Sequence, residues 1–142
     1  MLAQLAVGAG ASICNITVHS LMMTVVLKVA RSHASLRGYS SVSLSWVMSS
    51  VVFVLMAAHT LEVLIWAILY KIAGVAPAGS DLLYFAFVNY TTLGYGDIMP
   101  VARWRLLGPA AAMNGILLFG WSTAVIFEVL RRSLIRMEGI AR

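Results

Sequence analysis

Thr92-Leu93-Gly94-Tyr95-Gly96-Asp97 is the run in this sequence best suited to chemistry, and that chemistry belongs to the backbone. Two glycines separated by one residue can adopt dihedrals closed to other residues. Consecutive carbonyl oxygens can then turn toward one axis and replace the water shell of a bare cation. Thr92 adds a hydroxyl at one end of the run, while Tyr95 stands where it can brace the other. Irregular backbone survives at membrane depth only when protein encloses it or a wet path runs beside it, because each unpaired amide in lipid costs several kcal/mol.

A second group of candidates is ionisable. His59 and Glu62 stand three apart, hence on one face of a helix, well inside an apolar stretch. Such groups are expensive in hydrocarbon and turn inward to a partner. One reading has Glu62, with His59, hydrogen-bonding the back of the glycine run or the short helix before it and making it pH-sensitive; the other is a static bond between helices. As a zinc site, His-x-x-Glu is half a motif, and its helix carries no third ligand. Asn114 could line a cavity below Thr92, pair with Glu62, or fasten neighbouring helices. Asn15 and His19, four apart, form one polar face expected to pack on the second apolar stretch. Cys14, the single cysteine, has no metal-ligand spacing around it and reads as a packing residue. No catalytic or ATP-binding set is visible, so no enzyme is expected.

The elements that position these residues follow from composition. The chain is 61% hydrophobic and 11% charged, with a mean hydropathy of +0.93, so a soluble globule could not hide its apolar surface and the bilayer must be its solvent. The net charge of +5 comes from basic residues flanking apolar runs, without an aromatic-basic face, which argues for membrane orientation and against nucleic acid. Three stretches, Leu2 to Leu27, Leu44 to Ile72 and Leu106 to Leu130, reach the roughly 20 residues a membrane crossing takes. The first has no basic residues before it, so it is expected to be retained as a span and not cleaved. Between the second and third, Gly74, Pro77, Gly79, Gly94, Gly96 and Pro100 break the chain around Ser80 to Thr91, an apolar segment too short to span and suited to a re-entrant helix. Lys28, Arg31 and Arg37 after the first span, with Arg131, Arg132, Arg136 and Arg142 after the third, place those segments in the cytoplasm and the N-terminus outside, despite Lys71, Arg103 and Arg105. Trp46, Trp66, Trp104 and Tyr70 are expected near the bilayer interfaces.

On these residues the sequence resembles the bacterial potassium channel family. Its TVGYG filter is matched by TLGYGD at 92–97, with Leu93 for the usual Val; Pro100, Val101, Trp104, Gly115, Ile116, Phe119, Gly120, Thr123 and Ala124 also align with the small two-transmembrane members. The resemblance, with the extra N-terminal span added, implies an all-α membrane protein with three transmembrane helices, a re-entrant pore helix and a filter loop, assembled as a homotetramer in the lipid bilayer of a bacterial inner membrane. In that frame 1–43 is an extra transmembrane helix with a basic loop, 44–130 the pore domain (outer helix 44–72, pore helix 80–91, filter 92–97, inner helix 105–130), and 131–142 a cytoplasmic tail. It implies potassium ions, and no other cofactor, bound by Thr92, Leu93, Gly94, Tyr95 and Gly96, with Asp97 bracing the mouth; beside it, the chain's own residues Thr91, Glu62, His59 and Asn114 are expected as support. Gly115 falls at a hinge, and Ile116, Phe119, Thr123 and Phe127 face the cavity and gate. The expected function is passive potassium permeation; the alternatives are a weakly selective cation channel and a non-conducting assembly or sensor subunit. Val88 stands where the family often has a bracing Glu, so any brace must come from elsewhere.

Overall fold

The computed structural model describes residues 1–36 and 40–140, so Arg37 and Arg142 of the basic segments lie outside the described residues. Its elements are helices α1 (Leu2–Leu36), α2 (Ser41–Ala73), α3 (Leu82–Tyr90) and α4 (Leu107–Ile140), with a turn of 3-10 helix at Ala102–Trp104. Segments Leu2–Ala30, Ser41–Ala73 and Ala102–Met137 are long and apolar enough to cross a membrane. Nine-residue α3 is too short to do so. The chain is thus all-α.

Apolar residues surround the long helices, so burial is decided by shape and by polar partners. On α2 the buried positions Val47, Val51, Leu55, Ala58, Glu62, Trp66 and Tyr70 recur every three or four residues and form one stripe. Ala11, Asn15, His19, Met23 and Val26 form the matching stripe on α1. Small residues let the backbones approach: a Cβ on Gly8 would stand 3.1 Å from that of Ala110 on α4. The opposite faces, with Phe53, Met56 and Ile68, remain exposed and apolar, as lipid contact requires.

Gln4 Oε1 accepts a hydrogen bond from the Leu106 amide (3.1 Å), which seats the start of α1 beside the start of α4. At the other end Leu27 and Ala30 share a groove with Val125, Val129 and Arg132. Helices α1 and α4 therefore run parallel and α2 runs against them. The N-terminus and the segment joining α2 to α4 share one end of the bundle, and Lys28, Arg131 and Arg132 gather toward the other.

Two apolar clusters fill the bundle. One surrounds Trp66, Tyr70, Phe85, Tyr90 and Leu107 at the α3 end; the other joins Val26, Val47, Val51, Leu55 and Val129. The polar residues of α1, α2 and α4 meet between them.

Several boundaries move. α1 runs on to Leu36 and α4 to Ile140, so the expected basic loop and tail are largely helical. No Gly or Pro interrupts 28–36 or 131–138, and Glu128 pairs with Arg131 and Arg132 one turn on, which favours continuation. Pro109 sits in the first turn of α4, where no intrahelical amide is needed. Trp66 and Tyr70 are fully buried and do not anchor an interface: the Trp66 indole donates to Asn114 Oδ1 (3.2 Å), and the Tyr70 hydroxyl donates to the Leu107 carbonyl (3.4 Å).

Candidate ion-conduction site

Asp81 starts α3, its Oδ1 accepting from the amides of Leu83 (3.1 Å) and Tyr84 (3.0 Å), which satisfies two of the donors a helix start leaves free. After Tyr90 the chain doubles back. The Thr92 amide donates to the Asn89 carbonyl (3.1 Å) and the Leu93 amide to that of Val88 (2.9 Å). Val88 thus serves through its backbone at the place where a side-chain brace was sought.

From there φ alternates in sign. Thr92 (61°), Gly94 (62°) and Gly96 (78°) are left-handed, and Leu93 and Tyr95 are not. Alternation is what allows successive carbonyls to be turned to one side, with the amides of Thr92 and Leu93 tied back on the other. A β-branched residue in this region costs about 1–2 kcal/mol, so the strain at Thr92 marks a conformation that its surroundings impose. All of 91–97 is exposed on the single chain.

The far end is held at Asp97. Its Oδ2 accepts from the Tyr84 hydroxyl (2.7 Å) and its Oδ1 from the Ile98 amide (3.1 Å). The carboxylate beside it raises the Tyr84 phenol above its ordinary pKa. The brace that the sequence left unassigned is therefore a phenol one turn into α3, visible in the sequence only as one more aromatic of an apolar segment. Thr91, expected as support, donates its hydroxyl to the Phe87 carbonyl (2.7 Å) and closes its own helix.

Helix α4 receives the end of α3 through two glycines seven apart. A Cβ on Gly108 would stand 3.1 Å from Asn89 Oδ1, and one on Gly115 would run into the Tyr90 carbonyl. Gly115 sits in unbroken helix, and the described contact that requires a glycine there is this close approach. Farther along, Ile116, Phe119, Thr123 and Phe127 are exposed on α4.

Behind this contact lies the buried polar cluster. Glu62 does not touch the glycine run; it accepts a short hydrogen bond from the Tyr90 hydroxyl at the end of α3. Nδ1 of His59 lies 2.9 Å from Glu62 Oε2, and Nδ1 of His19 on α1 lies 2.7 Å from Oε1. Asn15 Nδ2 donates to Asn114 Oδ1 (2.8 Å) and to the Glu62 carbonyl (3.3 Å). Asn114 is thus turned to α1 and α2 and supports the glycine run only through its neighbour Gly115. Sequence reasoning missed Tyr90 and Ser122, the latter 2.9 Å from His59 Nε2. For Tyr90 a signal existed, since a phenol buried in an apolar helix needs a partner for its hydroxyl.

No curated protein and no solved structure matches the chain. A family model described as "Ion channel" matches residues 42–132, which takes in α2, α3, the glycine run and most of α4. The chain is an integral membrane protein and belongs to the two-transmembrane ion channel family, with α1 preceding the matched region.

Proposed function

We propose that this chain is one of four identical subunits of a potassium-selective channel, with Thr92 to Gly96 as the filter, Asp97 bracing its mouth and potassium held by backbone carbonyls. The observation that carries the reading is the alternation of φ through Thr92, Leu93, Gly94, Tyr95 and Gly96. Such a strand offers one row of oxygens, and a dehydrated potassium ion needs them from several sides at once, so one chain is insufficient. The exposure of 91–97 on the single chain fits a surface that copies of the same loop cover. Exposed Ile116, Phe119, Thr123 and Phe127 line the cavity and inner gate below it. The α3 C-terminus, near Tyr90 and Thr91, directs its partial negative charge toward that cavity. Transport is passive. The filter end, with the N-terminus, faces outward and the basic end lies in the cytoplasm of a bacterial inner membrane. Rubidium uptake into liposomes carrying the purified protein tests the reading: uptake driven by a potassium gradient is expected, and uptake unchanged by Gly94→Ala would show that the loop is not the filter.

A further inference from the structure

His59 and Glu62 supply two metal-binding groups from α2, and the third that their own helix lacks comes from α1. One ligand atom each of His19, His59 and Glu62 all lie within 4.8 Å of one another. His59 Nδ1, 2.9 Å from Glu62 Oε2, is also 3.0 Å from the Tyr90 hydroxyl, and His19 Nδ1 is 2.7 Å from Oε1. Two imidazole nitrogens, a carboxylate and a phenol oxygen from three helices thus converge on one small volume.

The far nitrogens constrain what holds them there. Both Nε2 atoms face Ser122 Oγ, at 2.9 Å from His59 and 3.5 Å from His19. If both Nδ1 atoms carry the ring hydrogens, both Nε2 atoms are acceptors and Ser122 has one hydrogen for the two. If both Nε2 atoms carry them, Ser122 Oγ accepts from each with its two lone pairs, and two Nδ1 lone pairs then face a carboxylate. That second arrangement is complete only around a cation.

We propose that the cation is a zinc ion, bound by His19 Nδ1, His59 Nδ1 and Glu62, with the Tyr90 hydroxyl at the fourth position. Two imidazoles and one carboxylate are a zinc donor set, and a hydrogen bond at each far nitrogen is what fixes the tautomer of a ligating histidine. A proton on one imidazole also balances the far nitrogens, with His59 Nδ1 and the Tyr90 hydroxyl both donating to Glu62, so a proton is the rival occupant that the test has to separate from zinc. Zinc bonds of about 2.0–2.1 Å separate neighbouring ligand atoms by roughly 3.3 Å; each imidazole nitrogen now stands closer than that to the carboxylate, while the three-ligand set falls within 4.8 Å, so an ion is seated by drawing the carboxylate and phenol back and keeping the histidines in place. His19 and Glu62 are wholly buried and His59 is 15% exposed beside Phe119, ring centroids 4.6 Å apart, which gives the ion a way in. Bound there, zinc ties α1 to α2 and to the end of α3, outside the row of filter carbonyls.

The test loads the purified full chain with zinc chloride, removes free metal by desalting and counts zinc by elemental mass spectrometry. About one zinc per chain is expected, with a tetrahedral visible spectrum when cobalt(II) is used. His59→Gln should lose it and His59→Cys, which restores a zinc ligand, should keep it, so loss through misfolding is told apart from loss of a ligand. Ser122→Ala should weaken affinity about tenfold or more, and Thr60→Ala, exposed on α2, should change nothing. Zinc at the His59→Gln level in the unaltered chain overturns the assignment, as does a zinc-free chain whose rubidium flux follows pH through His19 and His59, because the occupant is then a proton.

Discussion

At Gly94 and Gly96 the constraint is conformational. A Cβ at Gly96 meets nothing within 4 Å, and one at Gly94 meets only the Thr92 carbonyl at 3.9 Å, so space is not what excludes alanine. The positive φ values exclude it, at a cost of about 1–2 kcal/mol per residue. Gly94→Ala and Gly96→Ala should therefore leave the protein folded and abolish selective rubidium flux, checked by uptake together with thermal unfolding; loss of fold with loss of flux would contradict the division made here. Glu62 gives a second prediction at this scale. Its carboxylate faces His19, His59 and Tyr90, with no other ionisable partner described around it. Glu62→Gln keeps the shape and removes the charge, and it should alter the open lifetime of single channels or the dependence of that lifetime on pH. If neither moves, the cluster is a static fastening.

Helix α3 is an element whose two ends are held by different devices. Asp81 caps its start, Tyr84 reaches from its first turn to Asp97, and its last turn rests against Gly108 and Gly115 of α4. Gly115→Ala should force α3 and α4 apart and cost about 1–3 kcal/mol, read as a lowered unfolding temperature in detergent, whereas Gly120→Ala, with nothing within 4 Å in the chain, should cost little. Equal losses at the two sites would remove the packing explanation. The Tyr84–Asp97 bond behaves as a lock with a known pH sign. The phenol pKa is raised, so the bond is fully present below the usual phenol value of about 10 and weakens only as alkaline pH passes through the raised value. The existence of α2, α3 and α4 was legible because apolar length and Gly/Pro breaks are local properties of the sequence. The partner of Asp97, the contact of Tyr90 with Glu62 and the arrival of His19 beside His59 were not, because each joins helices whose relative rotation no single stretch of sequence encodes. Even the ends of α1 and α4 were hidden: charge marks where lipid stops, and a helix has no need to stop there.

For the whole molecule, the decisive property is that the chain places its glycine run and an apolar face of α4 on the outside. Leu93, Tyr95, Ile116, Phe119 and Phe127 are all exposed on a single copy. A lone chain would present that backbone to lipid at several kcal/mol per unpaired group, so association is required for the loop to keep its shape at membrane depth. Closed symmetry around an axis is the economical solution, and the proposed potassium filter calls for four copies around it. Native mass spectrometry should find four chains, and reversal potentials in planar bilayers should follow the potassium gradient when sodium is the opposing ion. The substitution of Leu93 for the usual Val bears on this outcome: in the proposed filter the ligand at this position is a backbone carbonyl, so selectivity should survive the change. Equal potassium and sodium currents from an intact tetramer would place Leu93 and the missing acid at Val88 at fault and leave a weakly selective cation channel; conduction by a species of fewer than four chains would refute the axial arrangement itself.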